Sequence, residues 1–107
     1  MTEAAAGSGM TTPEGEVKKA LKKILKPHED EKTLYAFWAV QTGYGKRTLD
    51  CLVCWRGLFI GVECKREGVE EPAPHQDTIM KAIRAAGGRT FLVTMEKGAL
   101  KWIEINS

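Results

Sequence analysis

Asp50, Glu63 and Lys65 are the residues of this chain whose types and spacing could do chemistry together. They lie in the stretch Thr48 to Lys65, TLDCLVCWRGLFIGVECK, which reads as two strands joined by a two-residue turn at Arg56-Gly57. Such a turn sets the register. Trp55 faces Leu58, Cys54 faces Phe59, Val53 faces Ile60, Leu52 faces Gly61, Cys51 faces Val62 and Asp50 faces Glu63. The two carboxylates then stand opposite each other on one face, with β-carbons about 4.5–5.5 Å apart. Like charges so placed repel unless something positive sits between them. Lys65 is two residues past Glu63 and projects from the same face. An Asp and a Glu facing across strands with a Lys beside them make a metal site with a cationic helper.

The elements around the hairpin follow from pattern. Thr11 and Glu14 fit a capping box, with Pro13 at an early helical position. Val17, Ala20, Leu21, Ile24 and Leu25 form an apolar stripe at helical spacing, and Pro27 is expected to stop the helix. His28 to Lys32 reads as a polar loop, Leu34 to Gln41 as a strand, and Thr42 to Arg47 as a glycine-containing loop. The hairpin is apolar on both faces: Cys51, Val53, Trp55, Leu58, Ile60, Val62 and Cys64 on one, Leu52, Cys54 and Phe59 on the other. Helices are therefore expected above and below the sheet. Arg66 to Ala73 is a charged loop, and Pro74 to Ala86 a second helix with Gly87 as its stop. Thr90 to Thr94 is a third core strand, joined to the second hairpin strand through that helix and so expected to pair parallel with it. Lys101 to Ile105 alternates like a final edge strand.

The chain has 107 residues, which accommodates one core. Residues 1–10 are small and unpatterned and read as a flexible tail, leaving 11–107 as the domain. A net charge of +2 is too small to argue for nucleic acid by itself. No run approaches the ~18 apolar residues of a membrane span, and the N-terminus lacks the layout of a signal peptide. Cys51 and Cys64 share a face only diagonally, and Cys51 and Cys54 point to opposite faces, so neither a disulfide nor a shared zinc is expected. The cysteines read as small buried hydrophobes in a reducing cytoplasm.

Asp50 followed by Glu63-Cys64-Lys65 matches the D…(D/E)xK pattern of the PD-(D/E)xK nuclease superfamily. Gly43 and Gly45 before the Asp, Arg56-Gly57 at the turn, Gly68 after the ExK, Gln76 opening the next helix and Gly87-Gly88 before the next strand resemble its VRR-NUC branch, the virus-type replication-repair nuclease family. The resemblance runs from about Glu16 to Thr94. The proline usual before the Asp is Leu49 here. The resemblance implies a single α/β, restriction-endonuclease-like domain whose αβββαβ core holds a central mixed sheet flanked by helices. It also implies a metal-dependent endodeoxyribonuclease that hydrolyses phosphodiester bonds. Asp50, Glu63 and the backbone carbonyl of Cys64 would hold Mg²⁺, with Mn²⁺ as substitute, which suits a hard cation with oxygen ligands. The cation would acidify a water and stabilise charge on the pentacovalent phosphorus. Lys65 would orient that water or neutralise the developing oxyanion.

Other positions carry two readings each. Glu16 either favours the helix dipole or, as the resemblance implies, serves as an outer metal ligand. Gln76 is either a satisfied structural amide or a side chain that hydrogen-bonds the attacking water, the phosphate or Lys65. Lys18, Lys19, Lys22 and Lys23, continuing to Lys26, are either a solvated face or a phosphate-contacting surface. Lys46 and Arg47 are a solvated turn or a phosphate contact, and Tyr44 stacks on a base or caps the core. Stand-alone relatives act as dimeric resolvases of four-way (Holliday) junctions. A homodimer acting on branched DNA is therefore expected, in the cytoplasm of a bacterial or phage-infected cell, with Trp102 and Ile105 or Tyr35 and Phe37 as interface candidates. The competing expectation is a catalytically silent nucleic-acid-binding module on the same fold, which would carry a damaged site.

Overall fold

The computed structural model describes residues 12–40 and 46–94. The expected tail 1–10, Tyr44 and the expected strand Lys101–Ile105 with Trp102 lie outside the described residues. Helix α1 spans Pro13–Asp30. Its N-cap is Thr12, whose Oγ1 accepts a hydrogen bond from Gly15 N at 2.9 Å, so the capping pair expected at Thr11 and Glu14 is shifted by one residue. Val17, Leu21 and Leu25 are buried on one face, as the 3.6-residue period requires.

The expected stop at Pro27 is corrected: the helix continues through it to Asp30. Pro27 forfeits one donor, yet its carbonyl still accepts from Glu31 N at 3.1 Å. The last turn is held from outside. His28 packs edge-on against Trp55 with ring centroids 6.0 Å apart, and its carbonyl accepts from both the N and the Oγ1 of Thr33, each at 3.1 Å. Tertiary packing here outweighs the local breaker.

Strands β1 (Leu34–Trp38), β2 (Cys51–Trp55), β3 (Leu58–Cys64) and β4 (Arg89–Val93) form one mixed sheet in the order β1-β2-β3-β4. Strand β1 ends at Trp38, short of the expected Gln41. Strands β1 and β2, and β2 and β3, pair antiparallel, while β3 and β4 pair parallel through helix α2 (Pro74–Ala85). The hairpin register is as read from the turn, from Cys51 opposite Val62 to Trp55 opposite Leu58. Arg56 and Gly57 have φ of 51° and 85°, the paired positive values of a type I′ turn.

One sheet face carries Cys51, Val53, Trp55, Ile60, Val62 and Cys64 and packs with Leu34 and Val93 onto Val17, Leu21 and Leu25 of α1. Helices lie on both faces as expected, but cover of the second face is partial. There α2 covers the β3–β4 end, while Tyr35 is 71%, Phe37 51% and Phe59 45% exposed. The cysteines are free, and Cys51 and Cys64 are buried as expected, but Cys54 is exposed because it sits on this open face. No helix among the described residues is long and apolar enough to cross a membrane.

Gly61 lets α2 approach the sheet. A Cβ there would lie 2.6 Å from Ile83 Cδ1 and 2.8 Å from Leu49 Cδ1. Leu49 is fully buried and fills the core beside this contact. Gly61→Val should therefore cost about 1–3 kcal/mol through overpacking. It should lower the urea midpoint with an unchanged slope; an unchanged midpoint would show that helix and strand are not in close contact.

Candidate metal centre

The site forms where β3 ends and the chain enters β2. Asp50 is the residue before β2 and Glu63 the penultimate residue of β3. The pair is cross-tied. Asp50 N donates to Glu63 Oε1 at 3.2 Å, and Cys64 N donates to Asp50 Oδ2 at 2.9 Å. Each carboxylate is thus held by the backbone of the other strand. The antiparallel register places both on one face, and these bonds fix their rotamers.

Three further side chains arrive from other elements. Lys65 follows β3, its N donates to Val93 O at 2.9 Å, and its Nζ stands 3.7 Å from Glu63 Oε2. Gln76, in the first turn of α2, donates from Nε2 to the same Glu63 Oε2 at 2.6 Å. Its Oε1 accepts from Ala73 N at 2.8 Å, so both ends of the amide are bound and its orientation is set. The partner of Gln76 is therefore Glu63 itself, not Lys65. Lys18 of α1 places Nζ 3.4 Å from Asp50 Oδ1.

Burial, and next the charge of Asp50, push the Glu63 carboxyl up to about 7; the hydrogen bond from Asp50 N and the charge of Lys65 act in the opposite direction. The Glu63 carboxyl therefore keeps its proton well above the ordinary carboxylate range. A divalent cation would replace that proton and relieve the repulsion, and carboxylate oxygens are the donors a hard cation takes. Among the described residues no group of three or more His, Cys, Asp and Glu side chains converges. Two carboxylates are few for a calcium cage but fit Mg²⁺, which keeps several waters and takes phosphate oxygens.

The remaining candidates are placed less centrally. Glu16 is exposed and pairs with Lys19 at 3.5 Å. Lys22 lies over the Trp38 ring, 4.9 Å from its centroid. Lys23, Lys46 and Arg47 are exposed. Lys46 and Arg47 line a groove of about 710 Å³ between α2 and the sheet, with Leu52, Phe59, Ile79 and Ile83. His75 is exposed. Sequence reasoning missed the engagement of Lys18 with Asp50. Its one signal was adjacency to Val17 at the start of the buried stripe.

Comparison with protein-family models, with curated proteins and with solved structures gave no match to the chain.

Three outcomes follow from this geometry. Cation binding must displace the Glu63 proton, so Mn²⁺ affinity should rise up to tenfold per pH unit below about 7 and level off above it. The sign for stability is opposite. The Glu63 pKa is raised from an ordinary 4.5, so protein without divalent cations should lose stability as pH rises from 4.5 to about 7, and Glu63→Gln should remove that slope. Gln76→Leu should weaken Mn²⁺ about 10–100-fold by freeing the Glu63 carboxylate. Calorimetric titration and pH-dependent melting check them; a flat pH profile with an unaffected Gln76 variant would contradict the site.

Proposed function

We propose that this chain is a metal-dependent endodeoxyribonuclease with a restriction-endonuclease-like, VRR-NUC-like domain, acting on branched DNA as a homodimer. The observation that carries the reading is the convergence on one carboxylate: Glu63 is cross-tied to Asp50, faced by Lys65 and held by Gln76. Lys65 and Gln76 come from two further elements and both face Glu63 Oε2, an arrangement that would hold a ligating carboxylate in one rotamer.

Asp50, Glu63 and the Cys64 carbonyl would hold Mg²⁺ or Mn²⁺, which when bound supplies an acidified water and stabilises negative charge at the phosphate. The chain's own residues do the rest. Glu63 sheds its proton to become a ligand. Gln76 holds that carboxylate in one rotamer. Lys65 keeps an ammonium beside the pair, where it orients the attacking water or meets charge developing on the phosphoryl oxygens. Lys18, Lys19, Lys22 and Lys23 on α1, with Lys46 and Arg47 at the mouth of the groove, supply the positive surface for the flanking backbone. Glu16 contributes from outside the site.

Dimerisation is supported by the open sheet face. Tyr35, Phe37 and Phe59 form an apolar surface that a second copy would cover, and two sites related by a two-fold axis can address two strands of a four-way junction. The cytoplasm of a bacterial or phage-infected cell is the compartment proposed for this activity.

Asp50→Ala and Glu63→Ala should abolish cleavage of a labelled four-way junction in Mg²⁺ while the folded content stays intact by circular dichroism. Lys65→Ala should lower the rate about 10²–10³-fold. Near-normal cleavage by either carboxylate variant would sink the assignment, and wild-type protein that binds the junction without cutting it would favour the silent module. Tyr35→Ser with Phe37→Ser should give a monomer in sedimentation at micromolar concentration; a wild-type monomer that cuts linear duplex as readily as junctions would remove the dimer while leaving the nuclease.

A further inference from the structure

The carboxylate pair has two ammonium neighbours, and they differ. Lys65 Nζ faces Glu63 from a side chain that is only 14% exposed, so it is part of the built site. Lys18 Nζ faces Asp50 from a side chain that is 41% exposed and free to turn toward solvent. The other α1 lysines with observed partners are engaged away from the pair: Lys19 with Glu16, Lys22 over Trp38 and Lys26 with Asp30 at 2.7 Å. Lys18 reaches Asp50 because it follows Val17, the first buried residue of the stripe, and so rides at the seam where α1 meets the sheet.

The oxygens of Asp50 are divided between two partners. Oδ2 accepts from Cys64 N, and Oδ1 is the atom Lys18 holds. Oδ1 is thus the Asp50 oxygen with no backbone N–H on it, and an ammonium stands beside it. We propose that Lys18 is a resident competitor for the cation and couples cation binding to DNA binding; this rests on reading Asp50 as a metal ligand. A divalent cation and an ammonium repel each other on one carboxylate oxygen, so binding of the cation turns Lys18 outward. There it meets the phosphate backbone of a substrate engaged at the same site. A phosphate that draws Lys18 away conversely uncovers Oδ1. Linkage makes the two effects equal, so each ligand strengthens the other by the same factor. Lys18 is a positioning residue in this scheme, and its role differs from that of a lysine that only adds charge to a helix face.

Mn²⁺ titration of the full chain by calorimetry tests the competition. An ion pair of this exposure shifts an equilibrium about two- to fivefold. Lys18→Gln should therefore bind Mn²⁺ about two- to fivefold more tightly than wild type, and Lys26→Gln, which removes the same charge far from the pair, should not. In anisotropy titrations of a labelled, cleavage-resistant four-way junction, Mn²⁺ should strengthen binding to wild type more than to Lys18→Gln. Unchanged or weaker Mn²⁺ binding by Lys18→Gln, or equal Mn²⁺ enhancement of junction binding in both proteins, overturns the proposal. Wild-type protein that takes up no Mn²⁺ overturns the metal reading on which it rests, a failure visible before any variant is made.

Discussion

The contact on which this molecule turns is the reciprocal tie between Asp50 and Glu63. Two acids set opposite each other on neighbouring strands ought to push the strands apart. Here each accepts a backbone N–H from the other strand, so their repulsion is opposed by hydrogen bonds that also lock their geometry. The residual strain appears in Glu63, whose carboxyl is pushed up to about 7 by burial and by its neighbour. Ammonium groups from two elements and an amide from a third then gather around the pair. Negative charge concentrated and held in fixed rotamers in this way is what the proposed cation would bind.

The rest of the architecture serves that placement. The type I′ turn at Arg56-Gly57 sets the register that brings residue 50 opposite residue 63. The α1 core, from Val17 to Leu25 against Val53, Ile60 and Val62, gives the hairpin a rigid back. Gly61 leaves room for Ile83, which brings α2 down onto β3 and Gln76 within reach of Glu63. Each device lies within the core or at a turn, and together they hold Asp50 and Glu63 at the end of the β2–β3 pairing.

What was legible in the sequence, and what was not, divides along physical lines. The hairpin could be read because a two-residue turn and a period of 2 leave one register that keeps Val53, Trp55, Ile60 and Val62 together. The order of helices and strands, and the parallel pairing of β3 with β4, followed from the same patterning. The end of α1 could not be read, because Pro27 is a local signal and the packing of His28 on Trp55 is not. The open face could not be read either. Periodicity marks Tyr35, Phe37 and Phe59 as apolar but is silent on whether anything covers them. The partner of Gln76 and the reach of Lys18 depend on how helices cross the sheet, which spacing along one element does not encode.

Cross-tied in this way, Asp50 and Glu63 should take a divalent cation between them. A crystal of the protein grown with Mn²⁺, measured near the manganese absorption edge, tests it most directly. An anomalous peak is expected about 2.0–2.3 Å from oxygens of both Asp50 and Glu63, with Gln76 still on Glu63 and Lys18 displaced from Asp50 Oδ1. A map without a peak at the pair, with Lys18 and Lys65 still closed on their carboxylates, would contradict it.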